Sequence, residues 1–147
     1  MGGEIFHNIL LVCFGNICRS ATAERILQQK LPLLHIESAG IDAVVGHGIE
    51  KNSASILDSN GYSSTGHKAK KLNSVLVNES DLILVMEKSH RESIIKLYPQ
   101  ACGKVFLLGK WCEDLEILDP YQKSMEVFYR TYEKIEKNCV QWALKIG

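Results

Sequence analysis

The chain has 147 residues, of which 46% are hydrophobic and 23% are charged, and its 17 basic side chains balance its 17 acidic ones. This composition predicts one globular domain over residues 1–147 and excludes a disordered chain, a collagen-like fibre and a coiled coil. The zero net charge argues against a protein that coats nucleic acid or anionic lipid, and the longest apolar run, residues 9–14, is too short to span a membrane.

The first residues carry no targeting signal that we recognise. Residues 1–4 include neither a basic segment nor a long apolar stretch, so we expect no secretory signal. Gly2 alone does not predict myristoylation, because Phe6 stands where that motif has Ser or Thr. We therefore expect a cytoplasmic protein without membrane insertion.

Apolar runs alternate with helical patterns along the chain. Apolar or alternating runs predict four strands, at residues 9–12, 35–39, 82–86 and 105–108. Helical spacing predicts helices at residues 23–31, 53–59 and about 89–97. Pro32, the pair Asn60-Gly61 and Pro99 are the corresponding stop signals.

The strongest helix prediction is the C-terminal one. Its apolar residues step by four and three positions along a single stripe, which consists of Phe128, Tyr132, Ile135, Cys139, Trp142 and Ile146. We interpret this stripe as core packing, including its aromatic and cysteine members. Because strands and helices alternate, we predict an α/β fold with a four-stranded parallel sheet and helices on both faces. Ligands of such sheets bind at the carboxyl ends of the strands, so the site should begin at Cys13.

The segment between the first strand and the first helix has the composition of an anion-binding loop. Its sequence is Cys13-Phe14-Gly15-Asn16-Ile17-Cys18-Arg19-Ser20. The backbone N–H groups of such a loop, with the start of the following helix, can surround a phosphate. Gly15 and Asn16 tolerate the backbone angles of a tight turn, and Arg19 offers two parallel donors to phosphate oxygens.

The same loop contains a nucleophile. We expect the thiol of Cys13 to ionise more readily than a free thiol, with Ser20 donating a hydrogen bond to the sulfur. A thiolate beside an anion cradle favours covalent phosphoryl transfer. The pattern of Cys, five residues, Arg and Ser or Thr would occur by chance about 0.014 times in this composition, so it is specific. It is neither a Walker loop nor a dinucleotide fingerprint, since the residues that define those motifs are missing.

Three motifs resemble those of the low-molecular-weight protein tyrosine phosphatases. They are Val12-Cys13-x-Gly15-Asn16-x-Cys18-Arg19-Ser20, then Ser38-Ala39-Gly40 after the second strand, and Asp119-Pro120-Tyr121 before the last helix. The motifs occur in the family's order, and the resemblance runs from about Asn8 to the C-terminus. It implies a flavodoxin-like three-layer sandwich with strand order 2-1-3-4.

The resemblance implies a role for each matching position. Cys13 would be the nucleophile, Arg19 would bind the phosphate and Asp119 would be the general acid. Asn16 and Ser20 would organise the loop and the thiolate. The other substrate- and phosphate-binding residues would be Phe14, Gly15, Ile17, Cys18, Val44 and Tyr121.

Asp119 also has a chemical argument. The conjugate acid of a phenolate leaving group has a pKa of about 10, so a positioned proton donor helps its departure at neutral pH. The same carboxylate can then deprotonate the water that attacks the phosphocysteine. By itself Asp-Pro is an ordinary turn signal, and its pairing with the Cys13 loop is what favours the acid role. The next candidates for the acid are Glu113, Asp114 and Glu116.

Residues 41–47 would form one wall of the substrate cleft, by the same resemblance. The wall is aliphatic, with Val44 and Val45, and lacks the aromatic residue that some members have there. This resembles the bacterial branch, whose partners are membrane tyrosine autokinases that control capsule or exopolysaccharide export. Tyr121 is expected to line the cleft, while Gln122 stands where some members have a second Tyr.

The five cysteines suggest neither a disulfide framework nor a metal site. Their number is odd, and Cys13 and Cys18 have no second Cys/His pair at zinc-ligand spacing. We expect most of the thiols to be buried small hydrophobic groups. The resemblance implies that Cys18 forms a reversible disulfide with Cys13 under oxidation. We assign no role to the five scattered histidines and expect neither a metal nor a cofactor.

The sequence leaves three functions open. The first is hydrolysis of phosphotyrosine in proteins by a monomer or weak dimer. Arsenate reductases resemble this chain in fold and loop, but they need further cysteines near the nucleophile, and we do not recognise Cys102 and Cys112 as a redox pair. A non-catalytic phosphotyrosine- or phosphate-binding module is disfavoured, because binding alone needs neither Cys13 nor Asp119.

Overall fold

A parallel sheet of four strands forms the centre of the computed structural model, which describes residues 6–147. Its strands are β1 (Asn8–Cys13), β2 (His35–Gly40), β3 (Leu82–Val85) and β4 (Val105–Leu107). They pair in parallel in the order β2-β1-β3-β4, which confirms the predicted fold class and strand order. The expected absence of a targeting signal concerns residues 1–4, which lie outside the described residues.

Helices follow the strands in chain order. They are α1 (Arg19–Lys30), α2 (Lys51–Ser59), α3 (Ser74–Glu79), α4 (Lys88–Leu97) and α5 (Met125–Ile146), with a short 3-10 helix at Pro99–Ala101. Within residues 6–147, no helix combines the length and the apolar character that crossing a bilayer requires.

The two faces of the sheet bury different side chains, because neighbouring residues of a strand point to opposite sides. On one face, Ile9 and Leu11 pack with α1, α2 and α5. On the other face, Leu10 and Val12 pack with residues of α3 and α4. This arrangement is the predicted three-layer sandwich, and the C-terminal stripe lies in the first of the two cores, as predicted.

Several details differ from the prediction, and one is that α1 begins at Arg19, four residues before the predicted helix at 23–31, so that Arg19 and Ser20 are helical. Helix α3 was not predicted, because six residues are too few to show a helical period; its local signal is Asn73, whose side chain caps the helix by accepting from the N–H of Leu76 at 2.9 Å. Strand β1 continues one residue further than expected, since Cys13 still pairs with Gly40 of β2. Cys13 is therefore held by the sheet and is not the first residue of a free loop.

Candidate active site

The carboxyl end of the sheet opens into a cavity of about 590 Å³, which we call the Cys13 cavity. Its walls come from the Cys13 loop (residues 13–20), from residues 44–50 and from the Asp119 loop (residues 108–124), with α5 behind. The lining residues are Cys13, Phe14, Gly15, Asn16, Ile17, Cys18, Arg19, Val44, His47, Glu50, Asp119, Tyr121 and Phe128. The structure thus brings the predicted site residues together, with Ser20 buried beside Cys13. His47 lies in the predicted wall of residues 41–47, whereas Glu50 and Phe128 were not predicted to line the cavity.

The Cys13 loop is held in place through its carbonyl groups. Each of the carbonyls of residues 13–17 accepts a hydrogen bond from a residue outside the loop, at 2.6 to 3.0 Å. The donors, in loop order, are the N–H groups of Ile41, Asp42 and Val44, the ring of His67 and the N–H of Glu50. Because a carbonyl only accepts, Nε2 of His67 carries the proton in this arrangement.

The N–H groups of the same loop are left without protein acceptors. Within residues 6–147, no backbone or side-chain acceptor bonds the N–H groups of residues 14–18. The carbonyls are bound on the outer side, so these N–H groups are available to the cavity that the loop lines. A row of such donors, followed by the N-terminus of α1, can bind an anion.

Asn16 makes the tight turn that Gly15 was also expected to support. Asn16 has a φ of 60°, and its side chain accepts from the N–H of Lys70 at 3.0 Å. The expectation of unusual backbone angles at Gly15 is wrong, since its φ is not positive and a Cβ there would make only ordinary contacts. The close approach occurs at Gly40, where a Cβ would lie 2.6 Å from the carbonyl oxygen of Phe14.

Two hydrogen bonds reach the sulfur of Cys13. The N–H of Ser20 lies 3.4 Å from it, and the hydroxyl of Ser20 lies 2.9 Å from it. The same hydroxyl accepts from Nδ2 of Asn16 at 2.9 Å, which leaves its own hydrogen free to donate to a thiolate at Cys13. Both donors stabilise negative charge on the sulfur, which is what a nucleophilic thiolate requires.

Arg19 is anchored by one of its terminal nitrogens. The residue is only 3% exposed, and its Nη1 forms an ion pair with the carboxylate of Glu87 and donates to the carbonyl of Ile117 at 2.9 Å. Its Nη2 lies 3.9 Å from Oδ2 of Asp119. Since Nη1 is occupied, Nη2 and Nε remain as the parallel donor pair for a phosphate.

Glu87, which compensates the charge of Arg19, was missed in the sequence. It lies just beyond the carboxyl end of β3, beside β1 in the sheet. His90 lies against it: Nδ1 of the imidazole accepts from the N–H of Glu87 at 3.2 Å, and Nε2 lies 3.6 Å from the Glu87 carboxylate. Burial, aided by the charge of Arg19, lowers the pKa of His90 to about 4, so its ring is neutral at neutral pH. An acidic residue at the end of a strand next to β1 was the available signal.

The thiol of Cys18 is a poor nucleophile at neutral pH. Its sulfur lies 3.0 Å from the hydroxyl of Ser53, and burial raises the pKa of Cys18 to about 12 despite that contact. The thiol is therefore protonated at neutral pH and does not compete with Cys13 as a nucleophile. Of the five cysteines, Cys13, Cys18 and Cys139 are buried, in line with the expectation for most of them.

Asp119 is the acidic residue of its loop that reaches the cavity. Its side chain is 50% exposed, and Oδ1 accepts from the N–H of Tyr121 at 3.0 Å. The other three acids that the sequence left as candidates, Glu113, Asp114 and Glu116, are absent from the lining formed by residues 6–147. Of these four carboxylates, Asp119 is therefore the one that lies both beside Arg19 and in the cavity lining within residues 6–147.

Comparisons with known proteins agree with this geometry. A family model described as low molecular weight phosphotyrosine protein phosphatase matches residues 8–147. The chain is 46% identical over 139 residues to the low molecular weight protein-tyrosine-phosphatase Wzb of Escherichia coli (strain K12), across 95% of each chain. The crystal structure of Wzb from Escherichia coli K30 in complex with sulphate has a TM-score of 0.94 and 42% identity, over 97% of this chain and 99% of that one. Vibrio vulnificus Wzb in complex with benzylphosphonate has a TM-score of 0.93 and 40% identity, over 96% and 99% of the two chains.

Proposed function

The chain belongs to the low molecular weight phosphotyrosine protein phosphatase family, and we propose that it hydrolyses phosphotyrosine in proteins through a phosphocysteine intermediate on Cys13. The observation that carries this proposal is the hydrogen bonding of the Cys13 loop. Residues outside the loop bind its carbonyl groups, whereas its N–H groups remain free to bind an anion next to the buried sulfur of Cys13. Phe14, Ile17, Val44 and Tyr121 add an apolar lining that suits an aromatic ring.

The first step transfers the phosphoryl group to sulfur. The N–H groups of the loop and the free edge of Arg19 bind the phosphate oxygens and neutralise their charge. The thiolate of Cys13 attacks phosphorus, and the bond between phosphorus and the tyrosine oxygen breaks. Asp119 gives its proton to that oxygen, so that a neutral phenol leaves.

The second step returns the enzyme to its starting state. The carboxylate of Asp119 removes a proton from a water molecule, whose oxygen attacks phosphorus. The bond between sulfur and phosphorus breaks, and inorganic phosphate is released. The hydrogen bonds from Ser20 stabilise the thiolate that leaves, so the same contacts assist both steps.

The positions of the other cysteines speak against arsenate reduction. That chemistry needs further cysteines near the nucleophile to carry electrons away, and of the other four cysteines only Cys18 lines the Cys13 cavity within residues 6–147. Cys102 precedes β4 and is exposed, whereas Cys112 follows β4 and is half-buried. Neither is among the residues that line the Cys13 cavity within residues 6–147.

The substrate and setting follow from the branch that the chain resembles. We propose that it acts in the cytoplasm as a single domain on a bacterial membrane tyrosine autokinase that controls capsule or exopolysaccharide export. The aliphatic wall at Val44 and Val45, both exposed, supports this assignment. Wzb of Vibrio vulnificus, solved with benzylphosphonate, is a relative whose ligand joins a phosphonate to an aromatic ring.

The test follows phenol release in the first turnover. With wild-type protein, a burst of phenol from phenyl phosphate should precede steady hydrolysis, because we expect hydrolysis of the phosphocysteine to be slower than its formation. Cys13→Ser should abolish the burst while inorganic phosphate still binds, since serine keeps the shape of the loop but is a poor nucleophile. Retention of more than about a hundredth of the activity would exclude covalent catalysis by Cys13.

The acid is tested by changing the leaving group. Asp119→Ala should slow the burst with phenyl phosphate by about 10²–10⁴-fold, the usual value of general-acid help. With 2,4-dinitrophenyl phosphate, whose leaving group needs little proton transfer, the loss should be far smaller. Equal losses for the two substrates would remove Asp119 from the acid role.

A further inference from the structure

The Asp119 loop is attached to the N-terminal end of α4. The carboxylate of Glu116 accepts a hydrogen bond from the N–H of Lys88, the first residue of α4, at 2.7 Å. The next residue, Ile117, donates its N–H to the carbonyl of Met86 at 2.9 Å and accepts from Arg19 through its own carbonyl. Of these three contacts, the one at Glu116 is made by a side chain of the loop and can be removed by substitution.

A carboxylate suits this position for a physical reason. The N–H of Lys88 is one of the donors at a helix start that have no partner inside the helix. The positive end of the helix dipole lies at the same place, so a negative acceptor is favoured over a neutral one. The contact therefore holds residue 116 against α4, three residues before Asp119.

After the bridge between Gly109 and Leu115, the loop is attached through the side chain of Glu116 and the backbone of Ile117. Glu113 and Asp114 have φ values of 58° and 56°, so the chain turns sharply just before Glu116. Asp119 itself is half-exposed, and its hydrogen bond is to the nearby N–H of Tyr121 within its own turn. The height of Asp119 above the Cys13 cavity therefore depends on where the preceding residues are attached.

Glu116 is not placed to be the acid itself. Its carboxylate is bound to α4, and the cavity lining within residues 6–147 includes Asp119 but not Glu116. A carboxylate bound outside the cavity does not give its own proton to the leaving group.

We propose that Glu116 is a positioning residue, which attaches the Asp119 loop to the start of α4 and so sets the carboxyl of Asp119 beside Arg19, over the Cys13 cavity. The proposal rests on the proposed function, because it takes Asp119 to be the general acid. Without this contact the loop before Asp119 keeps only the two backbone contacts of Ile117, so Asp119 is held less firmly and the chemical step loses part of the help that it provides.

The experiment compares burst rates for phenyl phosphate and 2,4-dinitrophenyl phosphate in Glu116→Ala and Glu116→Gln. Glu116→Ala should slow the phenyl phosphate burst by about three- to tenfold, as expected for the loss of one hydrogen bond, and the dinitrophenyl phosphate burst by less than about twofold. Glu116→Gln should show a smaller effect of the same kind, because its amide oxygen still accepts from the N–H of Lys88.

Asp114→Asn is the matched control. It also converts a carboxylate to an amide in the same loop, and asparagine tolerates the positive φ of that position. The carboxylate of Asp114 has no hydrogen-bond or ion-pair partner within residues 6–147. The burst rates of Asp114→Asn should match those of the wild type. If Asp114→Asn instead slowed the phenyl phosphate burst as much as Glu116→Gln, the effect would come from the charge of the loop, and the proposal would be overturned.

A double variant separates positioning from direct catalysis. In the Asp119→Ala background, Glu116→Ala should cause no further loss, because the group that it positions is gone. A further loss of the same size would show that Glu116 acts independently of Asp119. If Asp119→Ala shows the leaving-group dependence and Glu116→Ala does not, the positioning role alone fails. If Asp119→Ala shows none, the acid assignment fails first and this proposal falls with it.

Discussion

His90 should make the stability of the protein depend on pH in a way that one substitution removes. Burial lowers the pKa of His90 from 6.5 to about 4, and the positive charge of Arg19 acts in the same direction. The nearby carboxylates of Glu87, Asp119 and Glu116 oppose the shift without cancelling it. The folded protein therefore keeps the imidazole neutral in a range of pH where the unfolded chain protonates it.

The sign of the effect follows from which state binds more protons. Above pH 6.5 neither state protonates His90, and its contribution to the free energy of unfolding is complete. Between pH 6.5 and about 4 the unfolded chain alone takes up the proton, so stability falls as the pH falls. From pH 7 to pH 5 the loss attributable to His90 comes to about 2 kcal/mol, because the unfolded chain alone takes up the proton over the ~1.5 pH units below 6.5, at about 1.4 kcal/mol for each unit.

Urea unfolding of wild-type protein and His90→Asn at pH 7 and pH 5 measures this loss. Asparagine can still accept from the N–H of Glu87 but does not titrate, so the variant should lose about 2 kcal/mol less than the wild type over this interval. Other groups titrate equally in both proteins and cancel in the difference. His47→Asn, at an exposed histidine, controls for the substitution itself. Equal losses in wild type and His90→Asn would refute the account of a neutral imidazole beside Glu87.

Two further predictions concern groups of the Cys13 loop. Arg19→Lys should weaken inhibition by inorganic phosphate and should lower kcat/KM by at least about 100-fold. The reason is that one ammonium group cannot keep the anchor to Glu87 and Ile117 and also present two parallel donors to the phosphate. A loss of less than about tenfold in kcat/KM would contradict the donor pair assigned to Nη2 and Nε. Mild peroxide should inactivate the wild type reversibly, since the thiolate of Cys13 oxidises first to a sulfenic acid, which can condense with the thiol of Cys18 in the same cavity to a disulfide and water. Cys18→Ser should then recover less activity on treatment with dithiothreitol, and identical recovery in the two proteins would leave Cys18 as a packing residue beside Ser53.

The elements that could be predicted are those whose signals are local. Fully apolar runs predicted β1 and β3, because a buried parallel strand needs apolar side chains on both of its faces. The stripe of α5 was visible because a helix repeats its apolar face every three or four residues. The six residues of α3 were too few for such a pattern. The alternation of strands and helices along the chain predicted that the sheet is parallel.

The part of the site within residues 13–20 was determined by the sequence itself, because an anion loop and its nucleophile are contiguous and use few residue types. The tertiary structure decided what surrounds that loop. Glu87 and His67 lie 68 and 51 residues away from their partners Arg19 and Asn16, and nothing in the local pattern links them. They meet because parallel pairing brings the carboxyl ends of β1 and β3 side by side, and because residues 67–70 lie against Asn16 of the loop. Those pairings depend on how two cores pack against the sheet, a property of the whole chain that no single segment contains.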